Sequence, residues 1–395
     1  MALTDFKPEF NNAYQEIFPK VSVAKEIMNT RFEAKLRYGE SVERVAFDIS
    51  AVLVRDVTRG SDSTIDDVTD SSELLNINIE KEAVFRISDG ELTQAGPMNP
   101  GEKIGGEIAK KVALDLDARC FAEVLNAGFD FDNGDLTTMA STGVAITLNA
   151  TTVPQLTTRM AAKLTRRNNV QNDGNYVFVV DAYAAADIEQ YLLGKNIDLM
   201  GYVFKNGYSG PIRGAMLYIS ENLTGETVIT GTGVFTGGEV ITLNGVNFFP
   251  VAAIGVAPGN FLIGASLAIS LTNLAGLINA PSTTNTNQVA LSTVDRDVVA
   301  TKWTAVATAT TVTTVMRGAG RPIVVETAAN ATVSAFFHAY FGKKGAIDLV
   351  LQDMSPVDMR PESRQRATVV FSSYLGGIKT FADGAKKFLD VLIAA

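Results

Sequence analysis

The sequence is poor in the residues from which metal sites, disulfides and most catalytic triads are built. Its 395 residues include one cysteine, Cys120, and one histidine, His338. A single cysteine excludes an internal disulfide framework and a cysteine-rich metal site. A single histidine excludes most metal sites and any histidine-based triad, unless His338 itself serves. We expect Cys120 to be a small buried residue and His338 to be packed or hydrogen-bonded in the core.

Charged residues are also scarce, at 19% of the chain, and the formal net charge is −9. A chain this acidic is not expected to grip nucleic acid by neutralising phosphates. If it works near DNA, we expect it to contain the DNA rather than to bind it. The basic pairs Arg166-Arg167 and Arg364-Gln365-Arg366 are too sparse for a nucleic-acid face, so solvated surface charge is their default interpretation.

No hydrophobic run is long enough to cross a membrane. The longest apolar stretches, 176–193 and 251–271, are interrupted by Asp181 and Pro258 among others. The first 18 residues carry acidic residues and Pro8 where a signal peptide needs an apolar run. The sequence therefore predicts a soluble cytoplasmic product with no membrane partner.

The common catalytic and cofactor motifs are missing as well. H-E-x-x-H, G-x-S-x-G and Walker-type sequences do not occur. The segment 129–135, FDFDNGD, lacks the spacing of a twelve-residue calcium loop, so a polar turn is the favoured interpretation. We predict no cofactor, no metal and no catalytic residue. Carboxylates are plentiful, so a pair arranged for acid–base chemistry stays open.

The chain does contain one long amphipathic segment, 99–128. Asn99 is suited to be the N-cap and Pro100 the first helical residue. Apolar residues recur every four positions from Ile104 to Val124, and Gly128 is suited to end the helix. The pattern predicts one unbroken helix from about Pro100 to Ala127, about 40 Å long.

The segment before this helix reads as an arm followed by a long hairpin. Residues 1–40 carry scattered aromatic residues and are either an arm onto a neighbouring subunit or a strap across the chain's own domain. Residues 41–95 alternate apolar and polar, which predicts two long strands. The acidic, serine-rich segment 56–73 between them is predicted to be a solvated tip. An isolated hairpin of this kind needs a partner surface.

The segment after the helix mixes helices and strands. The patterns predict, in order, a helix at 152–167, a strand at 176–180, a helix capped by Asp181, and a β-rich stretch at 224–331. Within that stretch, QVALSTV (288–294) is predicted to be a strand, and a helix at 265–280 is left open. The C-terminal part is predicted to form strands, with a break at Gly376-Gly377 and a last strand at 386–395.

The order of these parts resembles that of tailed-bacteriophage major capsid proteins of the Hong Kong 97 fold. The segment FNNAYQEIFPKVSVAKEI resembles the family's arm, and NINIEKEAVFRISDGE resembles the returning strand of its extended loop. The predicted helix matches its spine helix. NYVFVVDAYAAADIEQYLL, GYSGPIRGAMLYISENL and HAYFGKKGAIDLVLQD are similar to later segments. The resemblance covers about 1–222 and 332–395.

The resemblance implies an α+β fold of the Hong Kong 97 type, with peripheral and axial domains and an inserted all-β domain. Its implied parts are an N-terminal arm at 1–40, an extended β-hairpin loop at 41–98, the spine helix with the first part of the core at 99–223, the inserted domain at 224–331, and a C-terminal return at 332–395.

The function implied is that of a major capsid protein, not an enzyme. The subunit would assemble with itself into hexamers and pentamers of an icosahedral shell that encloses double-stranded DNA without sequence-specific binding. Expected partners are a separate scaffolding protein, a portal and, as a further option, a decoration protein. The expected location is the virion, after assembly in the bacterial host cytoplasm. The alternatives are another phage structural protein, such as a tail-tube or baseplate subunit, and a carboxylate-dependent carbohydrate-active enzyme.

On this interpretation the functional residues are contacts between subunits. The candidates flank the hairpin and its tip, begin the spine helix, or lie near a late arginine-bearing turn: Glu43, Arg44, Arg55, Arg59, Asp66, Asp67, Glu102, Lys103, Arg360, Arg364 and Arg366.

Overall fold

The computed structural model of the chain separates into two compact units. The first unit comprises Met1–Val21, Ile27–Val112 and Gly345–Lys387, and the second comprises Ser22–Glu26, Ala113–Lys344 and Phe388–Ala395. The structure describes residues 10–17, 22–31, 40–48, 52–56, 59, 65–88, 100–168, 170, 175–193, 211–212, 214–327, 329–361 and 367–395. The division of the chain into five parts stays a prediction.

The first unit contains two small antiparallel sheets. Strands β1 (Ser41–Asp48) and β2 (Thr69–Asn76) pair over their whole length. Strands β3 (Ile79–Ser88), β16 (Asp348–Pro361) and β17 (Ala367–Lys379) form a three-stranded sheet with β17 in the centre. Its described helices are α1 at residues 10–17, the first part of α3 (Pro100–Ala122), and a short α8 (Ala382–Ala385).

The described part of the N-terminal arm packs on its own chain. Phe10 is fully buried, and its ring centroid lies 6.2 Å from that of Phe85 on β3. A Cβ on Gly105 of α3 would lie 2.7 Å from the carbonyl oxygen of Phe10, so this close approach requires glycine. Residues 10–17 therefore act as a strap, one of the two options that the sequence left open.

The predicted hairpin differs from the observed one in two ways. Its second strand begins at Thr69, so the last five residues of the predicted tip, 69–73, belong to β2. The second of the two strands predicted over residues 41–95 is in fact two strands, β2 and β3, because β2 pairs with β1 whereas β3 pairs with β17. This pairing joins residues far apart in sequence, so a local alternation pattern does not reveal it.

The predicted break at Gly376-Gly377 is wrong, since β17 runs through both glycines. A Cβ on Gly377 would lie 2.4 Å from the carbonyl oxygen of Asn76, and one on Gly376 would lie 2.7 Å from that of Val350. The glycines are therefore needed where neighbouring backbones approach closely.

The long helix predicted at 99–128 is largely confirmed. Helix α3 (Pro100–Ala122) is continuous and about 35 Å long, and the chain passes from the first unit to the second between its residues Val112 and Ala113. It does not continue as an α-helix to Ala127, because Glu123–Asn126 tightens into a 3₁₀ turn. Cys120 is fully buried as expected, and this burial raises the pKa of its thiol. The proposed cap, Asn99, lies outside the described residues.

The second unit is built on a nine-stranded mixed sheet centred on β15 (Ala331–Lys343). The main path of the sheet is β12-β13-β8-β15-β5-β7-β6, and β15 also pairs with β18, which pairs with β4. These strands are β4 (Asp130–Phe131), β5 (Tyr176–Val180), β6 (Pro211–Ile212), β7 (Ala215–Ile219), β8 (Thr224–Gly231), β12 (Trp303–Ala307), β13 (Thr311–Met316) and β18 (Phe388–Ala394).

Two predicted helices around this sheet are confirmed. Helix α4 (Thr152–Asn168) and helix α5 (Ala182–Leu193) lie where the sequence patterns put them. Asp181 caps α5, since its Oδ1 accepts a hydrogen bond from the Ala184 backbone N–H at 2.8 Å. A short helix, α2 (Ala24–Ile27), lies mainly in this unit.

The stretch 224–331 is not all-β. It supplies β8, β12 and β13 to the nine-stranded sheet and forms a four-stranded sheet of its own, from β9 (Ile241–Leu243), β10 (Val246–Val251), β11 (Asn260–Leu262) and β14 (Val324–Glu326). Two helices, α6 (Leu267–Asn279) and α7 (Thr293–Lys302), complete it. Helix α7 begins inside the predicted strand QVALSTV, because the Ser292 hydroxyl accepts the Asp295 N–H and starts a helix there. An independent inserted domain stays a prediction.

A large apolar core connects the two sheets of this stretch. It includes Phe248, Phe261 and Trp303. Among the helices that the structure describes, none has the length and hydrophobicity to span a bilayer.

Candidate assembly surface

Among the side chains that the structure describes, the two-stranded hairpin β1–β2 has its core at its base. Leu75 of β2 packs with Val350 and Phe381, and Val42 and Ile77 lie alongside. A two-stranded ribbon with so small a core is marginal in water. The described part of the hairpin therefore gains little stability from its own core.

Arg44 ties this base to the rest of the first unit. Its Nη2 lies 2.5 Å from Asp383 Oδ2, its Nη1 lies 3.7 Å from Asp348 Oδ2, and its guanidinium carbon lies 5.2 Å from the centroid of the Phe381 ring. Burial raises the pKa of Asp383, but the cations of Lys387 and Arg44 outweigh it and lower that pKa overall. Arg44 therefore has a role within the chain. Its predicted role between subunits stays a prediction.

Two further contacts fix the other strand of the hairpin. Glu73 Oε2 accepts a hydrogen bond from the backbone N–H of Ala382 at 3.0 Å. Lys379 Nζ donates to the Leu74 carbonyl oxygen at 2.8 Å. The direction in which the hairpin leaves its base is thus set by both strands.

Beyond the paired strands, the hairpin loop exposes apolar side chains. The described loop residues, 52–56, 59 and 65–68, have no strand partner. Val54 is fully exposed and Ile65 is 87% exposed, while Val52, Leu53 and Val68 are each about half exposed or more. We call these five side chains the loop patch. Apolar residues this exposed in an extended segment are typical of a surface that another protein covers.

A charged pair joins the two sides of this loop. Arg55 donates from Nη1 and Nη2 to the two carboxylate oxygens of Asp66, both at 2.7 Å, and the Leu53 N–H donates to Asp66 Oδ2 at 2.9 Å. The hydrogen bonds from Arg55, and then the one from Leu53, lower the pKa of Asp66. Arg55 and Asp66 therefore hold the loop together and present the loop patch.

Arg360 lies beside a hollow of about 550 Å³ on the three-stranded sheet. Its Nε and Nη2 lie 2.9 and 2.8 Å from Asp358 Oδ2, and its guanidinium carbon lies 5.1 Å from the centroid of the Phe371 ring. The hollow is also lined by Glu80, Lys81, Glu82 and Ser373. Because three carboxylates and two cations line the hollow, it is better suited to contact polar side chains of a protein than to bind a polyanion.

The other predicted contact residues divide into two groups. Glu43, Arg59, Asp67, Glu102 and Lys103 are exposed. Arg364 and Arg366 lie outside the described residues. A role between subunits stays a prediction for all of them.

The lone histidine is a hydrogen-bonded core residue, as expected. His338 on β15 is 3% exposed; its Nδ1 lies 2.7 Å from Asp390 Oδ2 and its Nε2 lies 3.1 Å from Glu226 Oε2. Both ring nitrogens contact carboxylates, so neither is left to activate a nucleophile. Burial alone would lower the pKa of His338, but the two carboxylates raise it to about 9. Burial raises the pKa of Asp390 despite the neighbouring histidine.

The raised pKa of His338 predicts a loss of stability in alkaline solution. The ordinary pKa of histidine, 6.5, applies to the unfolded chain, so the stabilisation is complete below about pH 6.5 and is lost as pH rises through about 9. A shift of this size corresponds to a loss on the order of 3 kcal/mol. Urea unfolding at pH 6 and pH 9.5 measures it. In His338→Gln this step should be missing, and an equal step in that variant would contradict the assignment.

One functional carboxylate escaped the sequence patterns, because it lies among the apolar residues of α3. Asp117 is buried and accepts hydrogen bonds from the Ser22 hydroxyl at 2.6 Å and from the N–H groups of Val23 and Ala24 at 2.9 and 3.2 Å. Burial raises its pKa although these three donors lower it. Asp117 thus caps α2 and joins Ser22, Val23 and Ala24 to the second half of α3.

The acidic segment 129–135 is a polar turn, as favoured from its spacing. Asp132 caps the 3₁₀ turn Asn133–Leu136 and accepts a hydrogen bond from the Ser141 hydroxyl at 2.8 Å. Asp135 Oδ2 lies 2.5 Å from Lys163 Nζ of α4, and both side chains are buried. The carboxylates of Asp132 and Asp135 are therefore bonded to groups of the same chain.

Comparison with known proteins finds similarity in structure but not in sequence. No protein-family model matches the chain, and no curated protein matches it. A structure of Mycobacterium phage Che8 is 14% identical, with 94% of this chain and 90% of that chain covered and a TM-score of 0.48.

Two further similar structures are capsids by name. A capsid structure of the cyanophage P-SCSP1u is 9% identical in sequence and has a TM-score of 0.44. The alignment covers 89% of this chain and 83% of the cyanophage chain. The mature capsid of bacteriophage PhiM1 is 10% identical in sequence and has a TM-score of 0.44. The alignment covers 90% of this chain and 81% of the PhiM1 chain. All three TM-scores are below 0.5, so these similarities carry no conclusion about function.

Proposed function

We propose that this chain is the major capsid protein of a tailed bacteriophage, with the Hong Kong 97 fold. In this proposal it assembles with itself into hexamers and pentamers of an icosahedral shell that encloses double-stranded DNA. It acts in the virion, after assembly in the host cytoplasm, and has no catalytic role. A separate scaffolding protein, a portal and a decoration protein are its further proposed partners.

The observation that carries this proposal is the hairpin loop. It extends beyond the small core at the base of β1–β2 and exposes the loop patch, including Val54 and Ile65. An arrangement of this kind is stable when a neighbouring subunit covers the patch. The Arg44–Asp383 ion pair at the base of the hairpin and the Arg55–Asp66 pair in the loop support the same role. They hold the hairpin and its loop in a conformation in which the loop patch is exposed.

Two further features support a shell subunit. The order strap, hairpin, long helix, strand–helix unit and closing strand is the order that the resemblance implies. The net charge of −9 suits the wall of a DNA container, since a wall that bound its cargo tightly along its whole surface would hinder filling and release.

Electron microscopy of the purified full-length chain tests the proposal. We expect closed shells of tens of nanometres, either spontaneously or on adding the scaffolding protein expressed with it. Rings or tubes would instead support the tail-tube or baseplate alternative. A chain that stays a compact monomer under every condition and hydrolyses a carbohydrate would overturn both the capsid proposal and the tail-tube or baseplate alternative.

A further inference from the structure

Helix α4 is a cationic helix in an acidic chain. Its charged residues are Arg159, Lys163, Arg166 and Arg167, and it contains no acidic residue. With 3.6 residues per turn, these four positions fall within an arc of about 100°. The four positions therefore lie on one side of the helix, where Lys163 is buried, Arg159 is half-buried, and Arg166 and Arg167 are exposed.

The three arginines of this face are not neutralised by the segment beside them. The 23 residues from Leu136 to Thr158 contain no charged side chain. The preceding turn has three aspartates, of which Asp132 and Asp135 are buried and already bonded, so Asp130 is its exposed carboxylate. Lys163 is neutralised by Asp135 and is set aside here.

Neutral contacts hold these arginines in place without removing their charge. Arg159 Nη1 donates to the Thr137 carbonyl oxygen at 2.8 Å. Arg167 stacks on Phe129, with 5.6 Å between its guanidinium carbon and the ring centroid. Arg166 and Arg167 are exposed, and Arg166 lies beside Met139. The face therefore presents the exposed guanidinium groups of Arg166 and Arg167 and the half-buried one of Arg159.

We propose that this face of α4 contacts the phosphate backbone of double-stranded DNA without reading its sequence. The inference rests on the proposed function, in which enclosed DNA is the cargo. Arg159 and Arg166 are seven residues apart, about 10 Å along the helix. That distance matches the rise of about three nucleotides on one strand, at about 3.4 Å each. Guanidinium groups form paired hydrogen bonds with phosphate, which fixes position but carries no sequence information.

The contact is weak and strongly dependent on salt. Each phosphate contact contributes a slope of about −0.9 to the plot of log affinity against log salt, so three contacts lose roughly 40-fold in affinity for a fourfold rise in salt. A few isolated contacts of this kind allow DNA to be packed against the wall and released again. They are compatible with the acidic balance of the whole chain, because the cations are confined to one helix face.

Fluorescence anisotropy with a labelled 20-base-pair duplex tests the inference on the purified, unassembled full-length chain. The variant R159Q/R166Q/R167Q should bind at least about tenfold more weakly at low salt, with a salt slope smaller by about 2 to 3. R159K/R166K/R167K keeps the charges and should retain most of the binding. Duplexes of different sequence should bind equally well.

The matched control removes three exposed cations elsewhere. K110Q/K111Q/K302Q changes the net charge by the same amount, and its three positions are exposed. We expect it to bind DNA nearly as well as the parent chain. Equal weakening in both variants would overturn the inference, because net charge alone would then explain the binding. Undiminished binding by R159Q/R166Q/R167Q would overturn it as well. Shell formation is scored separately, so shells with unaltered DNA binding refute this inference alone, and DNA binding without shells refutes the proposed function alone.

Discussion

Replacing Val54 and Ile65 by serine will abolish shell assembly and leave the subunit folded. Both side chains are almost wholly exposed, so they contribute little to the stability of the isolated chain. Covering a valine or isoleucine at an interface contributes about 1.5–3 kcal/mol for each side chain. In a closed shell built from copies of this chain every subunit carries the same loop, so the loss would recur at every contact that the loop makes.

The variants V54S/I65S and V294S/V298S form a matched pair. Val294 and Val298 lie on one face of α7 and are also exposed, at 76% and 44%. Sedimentation velocity and electron microscopy measure assembly, and thermal unfolding reports the state of the subunit. We expect V54S/I65S to sediment as free subunits and V294S/V298S to form shells. Normal shells from V54S/I65S would refute the role of the loop patch. Loss of shells in both variants would refute its specificity.

Point substitutions test the loop more cleanly than a deletion of the whole predicted tip. Removing 56–73 would also remove Thr69–Glu73, which belong to β2 and include the carboxylate that caps Ala382. The sequence pattern placed these residues in the tip because they are acidic and serine-rich. In the structure residues 69–73 pair with strand β1. The sequence of β1 does show the alternation of apolar and polar residues that is typical of a strand. Amino-acid composition therefore placed the start of β2 too late, because its pairing with β1 determines where the strand begins.

The elements with a strong local signal were predictable from sequence. The four-residue apolar repeat gave α3, Asp181 gave the start of α5, and the apolar run at 176–180 gave β5. Elements that depend on distant partners were not. β3 follows β2 after two residues, yet it pairs with β17, almost 300 residues later. A local pattern carries no information about such a choice.

The candidate site shows the same division. Charged residues flanking the hairpin were predicted as contacts, but Arg44, Arg55 and Arg360 all have carboxylate partners within the chain. The exposed side chains that most need cover are apolar, as at Val54. Exposure cannot be read from one apolar residue in an alternating segment, because the same pattern also fits a buried strand. Asp117 was missed for the opposite reason, since a carboxylate within an apolar stripe is visible only through its partners.

Replacing Asp135 by alanine should destabilise the second unit by about 3–5 kcal/mol. Lys163 and Asp135 are 4% and 0% exposed, with 2.5 Å between Nζ and Oδ2. The Lys163 ammonium also donates to the Asp130 carbonyl oxygen and lies 5.7 Å from the centroid of the Phe131 ring. Without Asp135 the ammonium stays buried and loses its counter-charge. Urea unfolding followed by far-UV circular dichroism measures the change.

The double variant D135A/K163M separates the loss of the ion pair from the burden of an unpaired charge. Methionine fills much of the lysine volume without its charge, so we expect D135A/K163M to be more stable than D135A. The control is E107A, which breaks the exposed Glu107–Lys110 pair at 2.7 Å and should leave the unfolding curve unchanged. If D135A/K163M is no more stable than D135A, the unpaired ammonium is not the cause. The damage would then come from the turn at 132–135, where Asp135 Oδ2 also accepts the Asp132 N–H.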